Sequence, residues 1–126
     1  MNFLRGFRTE QGRINLKKTG LFGIVTAARA LAIRHHVVEC STLDRLDGIK
    51  ALKLGSKDDF DALREAYGVF LELILAQQVE DINHGTPISN AVAVNRLSQH
   101  DKARLRQALR AVEQLDTLTR DLLFKS

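Results

Sequence analysis

The chain has 126 residues, 44% hydrophobic and 27% charged, with one proline and eight glycines, a composition that fits one globular domain and excludes collagen-like or disordered material. A domain of this length removes roughly two-thirds of its unfolded surface from water without covalent staples; Cys40, the only cysteine, excludes an internal disulfide framework and a paired-CxxC zinc site, and agrees with a reducing cytoplasm. The formal charge is +4, and Arg5, Arg8, Arg13, Lys17 and Lys18 against Glu10 account for all of it, so the excess is N-terminal.

In chain order, residues 1–19 read as an irregular basic arm or the tail of a preceding domain, and residues 20–126 as a helical bundle domain. Phe3-Leu4-Arg5-Gly6-Phe7-Arg8 has the look of such a tail. It lacks the apolar core of an export signal, and the run from Leu21 to Ala28 stops at Arg29, far short of a membrane span. Arg13, Lys17 and Lys18 stand directly before a helix start, where free amides also favour anions, so the arm is a candidate for holding phosphate. Packing of Ile14 and Leu16 on a neighbouring domain, with the charges left in water, is the alternative.

The segment from Gly20 to His36 is apolar almost all round, which predicts a central helix enclosed by others. Ser41 with Asp44 forms a capping start for a short amphipathic helix through Leu43, Leu46, Ile49 and Leu52, ending near Gly55. Ser56 and Asp59 repeat that signal ahead of the longest helix. Its period runs through Phe60, Leu63, Tyr67, Phe70, Leu71, Ile74, Val79 and Ile82, and Gly85-Thr86-Pro87 stops it. Ile88 to Leu97 reads as a loop in which Ala91-Val92-Ala93-Val94 could bury. Ser98 and Asp101 give the third capping signal, before a stripe of Leu105, Ala108 or Leu109, Val112, Leu115, Leu118 or Thr119, and Leu122. The predicted fold is all-α: a four-helix bundle with a short second helix behind an irregular basic N-terminal arm.

Few residues carry a chemical signal. Gly55-Ser56 and the pair Asp59, Asp61 are the pieces from which nucleotidyltransferases build a metal site, but on a helix the two carboxylates point about 200° apart and cannot share an ion. His35, His36 and Cys40 form no convincing metal set, and no Walker loop, dinucleotide glycine pattern, nucleophile elbow or HExxH occurs. No catalytic residue, metal or cofactor is therefore assigned to this chain. The later basic cluster of Arg96, Lys102, Arg104, Arg106 and Arg110 reads as a solvated helix face or a second anion-attracting surface. Arg29 with His35 or His36 resembles the Arg-x(4 to 6)-His pattern of HEPN-type ribonucleases, which implies RNA cleavage as one alternative function. A homodimeric interaction module is another.

A more extended resemblance runs through the whole chain. Residues 12–21 (Gly-Arg-Ile-Asn-Leu-Lys-Lys-Thr-Gly-Leu), 28–35 (Ala-Arg-Ala-Leu-Ala-Ile-Arg-His) and Ser41-Thr42-Leu43-Asp44-Arg45-Leu46 resemble, in order and spacing, the nucleotidyltransferase substrate-binding domain, the DUF294 C-terminal family. Leu63 to Tyr67, Phe70-Leu71, Gln78, Gly85-Thr86-Pro87, Asn90 and Leu97-Ser98 continue the likeness. It is also similar to the helical region of glutamine synthetase adenylyltransferases and related uridylyltransferases. The resemblance implies a non-catalytic substrate-binding or regulatory module, with a nucleotidyltransferase domain upstream that takes a nucleotide triphosphate and Mg. In bacterial signalling proteins of this type, CBS or cyclic-nucleotide-binding-like domains precede it. It further implies that Arg13, Lys17 and Lys18 face nucleotide phosphate or an acidic interface and that Arg29, Thr42 and Arg45 line the helical side. The expected partners are the upstream domain and a nucleotide or protein substrate, with no membrane; the expected location is cytoplasmic.

Overall fold

The computed structural model describes residues 12–124. Phe3 to Arg8, read above as a domain tail, lies outside the described residues. The element order is β1 (Arg13–Asn15), a π turn (Lys17–Leu21), α1 (Phe22–Arg34), α2 (Thr42–Ala51), α3 (Lys57–Asn83), β2 (Ala91–Ala93), a 3-10 turn (Val94–Arg96) and α4 (Gln99–Phe124). Four helices carry the fold, as the apolar periods predict. The core is formed by Ile24, Leu31, Leu46, Ile49, Phe60, Phe70, Leu105 and Leu109 with their buried neighbours. α3 and α4 make the largest contact and run antiparallel: the linker before α3 lies by Leu118 and Leu122, and Glu80 near its end meets Arg96 just before α4.

Each boundary has a local cause. At the start of α2 the Ser41 hydroxyl accepts from the Asp44 amide at 3.1 Å, and at the start of α4 the Ser98 hydroxyl accepts from the Asp101 amide at the same distance. Ser56 occupies the same position before α3 yet makes no side-chain cap bond; its backbone carbonyl accepts from Asp59 and Phe60 instead. α1 and α3 both end by folding back. The Val37 amide donates to the Ala32 carbonyl at 2.8 Å around His36 at φ 60°, and the Thr86 amide donates to the Asp81 carbonyl at 2.9 Å around Gly85 at φ 66°. α2 stops at Ala51, one turn before the expected Gly55, with Lys53 in the left-handed region at φ 57°.

Four expectations change. Within the arm, residues 13–15 form a strand: β1 pairs antiparallel with β2 in the register Arg13 with Ala93, Ile14 with Val92 and Asn15 with Ala91, and Ile14 and Leu16 are fully buried in the same core as the helices. Residues 88–97, read as a loop, supply the partner strand and bury Val92 and Val94. α1 is enclosed on one side only, because Phe22 and Ile33 project to solvent while Ile24, Ala28 and Leu31 face the bundle. On α3, Val79 and Ile82 also face outward, and the buried line continues through Gln77 and Asp81.

Candidate functional site

The first turn of α3 divides two clefts at one end of the bundle. Lys57, Asp59 and Asp61 follow one another at about 200° per step, so neighbours in that series turn to opposite sides of the helix. Toward α4 lies a cleft of about 370 Å³ lined by Asp59, Ala62, Leu63, Ala111, Glu113, Gln114, Thr117, Leu118 and Asp121. Its floor is apolar, and the small side chains of Ala62 and Ala111 leave the space between the helices open. Glu113, Thr117 and Asp121 follow at four-residue intervals and so form one polar row along α4, with Asp59 among the lining residues from α3. Asp59 and Glu113, which line it from α3 and α4, set carboxylates over an apolar base.

Toward α2 the second cleft, about 440 Å³, is lined by Asp47, Lys50, Ala51, Lys53, Gly55 and Lys57. Here the charges are partly spent within the chain. Lys50 donates to Asp61 at 2.6 Å, and Arg64 pairs with Asp47 at 3.6 Å. The Lys50 ammonium holds the Asp61 carboxyl below the usual carboxylate range. The two aspartates singled out in the sequence therefore serve different walls: Asp59 looks to α4 and Asp61 is fixed to α2.

The six residues carried by the family resemblance lie on β1, the π turn, α1 and α2, and none of them lines either cleft. Arg13 is turned inward, its guanidinium 3.7 Å from the buried carboxylate of Asp81. Lys17 and Lys18 on the π turn and Arg29 on α1 are exposed and have no ion-pair partner among the described residues. Thr42 opens α2, half-buried, and the Arg45 guanidinium donates to the Glu39 carbonyl at 3.0 Å. Arg29 lies on α1 and is exposed, whereas His35 is the residue that caps the C-terminus of α1. His35 donates from Nε2 to the Leu122 carbonyl at 3.0 Å, and Arg34 donates to the Leu123 carbonyl at 3.3 Å, so both side chains bind the last turn of α4.

Asp81 is the centre of a polar network that periodicity does not reveal. One of its oxygens accepts from Gln77 at 2.9 Å and the other from the Ser89 amide at 3.2 Å, while the Gln77 carbonyl oxygen accepts from the Ala93 amide at 2.9 Å. Gln78 donates to Asn90 beside it. The network fastens β2 and the turn before it to α3, with Arg13 supplying the counter-charge from β1; this is how a buried carboxylate is accommodated. In the later basic cluster, Arg104 bonds Glu72 and Asp101, and these acids hold its guanidinium above its usual range; Arg96 bonds Glu80 at 2.8 Å.

Glu113 and Asp121 were not among the residues singled out from the sequence. The signal that could have found them is their four-residue spacing around Thr117, which sets one polar row beside the Leu115, Leu118 and Leu122 side of α4. Among the described residues, no group of three or more His, Cys, Asp or Glu is placed to hold a metal ion, and no helix is long and apolar enough to cross a membrane. A family model described as "Putative nucleotidyltransferase substrate binding domain" (DUF294_C) matches residues 1–122. No curated protein and no solved structure matches the chain.

Proposed function

We propose that this chain, which belongs to the nucleotidyltransferase substrate-binding domain family, holds the acceptor for a nucleotidyltransferase domain and transfers no nucleotide by itself. The observation that carries this reading is the α3–α4 cleft, where an apolar floor lies under the carboxylates of Asp59 and Glu113. Such a cleft favours a group that is both cationic and partly apolar, because the aliphatic part covers Leu63 and Leu118 while the amine or guanidinium meets carboxylates. The acceptor class is thus an amine- or guanidinium-bearing molecule or a basic side chain of a protein. The nucleotide triphosphate and Mg belong, in this reading, to the catalytic domain. Lys17, Lys18 and Arg29 are the exposed cations that suit either nucleotide phosphate or an acidic face of that domain, and Thr42 and Arg45 belong, with Arg29, to the helical side in this reading. The regulatory role, the CBS or cyclic-nucleotide-binding-like neighbours and the cytoplasmic location form part of the same proposal and rest on the resemblance.

Amide NMR titration tests it. Spermidine added to the isotopically labelled chain shifts the amides of Ala62, Ala111 and Thr117, and a double Asp59→Asn, Glu113→Gln variant weakens the effect about tenfold or more, equivalent to ~1.4 kcal/mol or more. ATP added instead leaves those amides in place. Shifts that ignore the cleft, or that survive the double substitution, count against it. Incorporation of labelled nucleotide by this chain alone would overturn the division of labour.

A further inference from the structure

The cleft between α2 and α3 holds more positive charge than the chain itself uses. Of its three lysines, Lys50 is bound to Asp61, and its lining carboxylate, Asp47, is paired with Arg64. Lys53 and Lys57 also line it, both exposed, and neither makes a contact ion pair among the described residues. Asp58, in the first turn of α3, projects about 100° from Lys57 and does not line the cleft. Two cations are thus left over, one just beyond the end of α2 and one at the start of α3. We propose that this cleft binds the dianionic phosphate of a small phosphate ester, Lys53 and Lys57 meeting it from the two helices.

Charge, backbone and size each bear on the ligand class. A surplus of two ammonium groups matches the charge that a phosphate monoester carries near neutral pH, and ammonium groups on flexible stems bind phosphate as point charges, without the fixed fork of a guanidinium. Lys53 adopts φ 57°, in the left-handed region where helix ends ordinarily place glycine, and its amide donates to the Lys50 carbonyl at 3.0 Å to finish α2. Glycine would form the same turn at lower cost. A lysine there is accounted for by its side chain, which supplies the cleft with a second unpaired cation. Size separates an ester from bare phosphate. A cleft of about 440 Å³ falls in the range of small-molecule sites and exceeds what one inorganic anion fills, and Ala51, Gly55 and the methylene stems of the lysines offer an apolar lining to the organic part. The inference is independent of the acceptor reading, whose cleft lies on the α4 side of the same turn.

Amide NMR titration of the whole labelled chain at low ionic strength tests it. Inorganic phosphate shifts the amides of Lys53, Gly55 and Lys57 saturably. Ribose 5-phosphate and AMP shift the same amides, together with Ala51, at lower concentration, and whichever ester binds more tightly identifies the organic part as sugar or nucleotide. Adenosine, and sodium chloride at matched ionic strength, leave these amides in place. Lys57→Gln weakens binding about threefold to fivefold. Lys53→Gly weakens it equally while keeping or raising the melting temperature, because glycine suits that backbone; a lysine that served only the turn would give a lower melting temperature and unchanged binding. The double variant loses about tenfold or more, and Arg110→Gln, which removes an exposed cation of α4 outside the cleft, loses nothing. If Lys53→Gly fails to fold, Lys57→Gln decides. Shifts confined to Lys18 and Arg29, shifts that sodium chloride reproduces, esters that bind no tighter than inorganic phosphate, an equal loss in Arg110→Gln, or undiminished binding in a folded cleft variant overturns the proposal.

Discussion

Gly20 is buried with its α-carbon against the ring of Phe70, and a β-carbon there would stand 2.5 Å from two of the ring atoms. The ring is itself fully buried and cannot retreat. Gly20→Ala is therefore expected to cost about 1–3 kcal/mol, the usual range for overpacking, read as a lowered urea midpoint. Gly68 is the natural control: it sits inside α3, and a β-carbon there meets nothing within 4 Å. Gly68→Ala is expected to stabilise by about 0.5–1 kcal/mol, because alanine loses less backbone freedom on folding. The two substitutions are chemically identical and differ only in what stands beside the α-carbon, so opposite signs check the local packing. The glycine in Gly20-Leu21 reads from sequence as a helix start, and nothing local announces Phe70, fifty positions later.

At the scale of elements, three serines carry the same sequence signal and the structure separates them. Ser41→Ala and Ser98→Ala each remove a side-chain acceptor from a helix start and are expected to cost about 1 kcal/mol, whereas Ser56→Ala costs a few tenths at most; thermal unfolding of the three variants orders them. The helices, the two caps that hold and the stop at Gly85 were legible because capping and termination are written within a few residues. The strands were not, because three residues are too short to show a period of two, and what binds β1 to β2 is backbone pairing between positions 13–15 and 91–93. The drift along α3 was misread for a different reason. At 3.6 residues per turn, the buried line that starts at Phe60 and Leu63 reaches Gln77 and Asp81, so hydrophobicity pointed to Val79 and Ile82 while the interior was closed by a polar network. The acidic cleft was illegible as a unit, because its walls come from positions 59–63 and 111–121.

For the molecule as a whole, Ile14 and Leu16 belong to the folded unit. Both are fully buried in the core shared by the helices, so a chain trimmed to begin at residue 20 loses two complete apolar side chains together with strand β1. At about 1.5–3 kcal/mol for each buried side chain, the trimmed form is expected to lose ~3–6 kcal/mol, a large part of a small domain's stability; denaturant curves of the 20–126 and 12–126 forms compare the two directly. The opposite end is secured in another manner. A last helical turn ordinarily frays, opening and closing for almost no free energy, but Arg34 and His35 clamp the carbonyls of Leu123 and Leu122 from a different helix. Hydrogen exchange near Asp121 is thereby slowed, and the acidic rim keeps its shape through thermal motion instead of having to reassemble each time a visitor arrives.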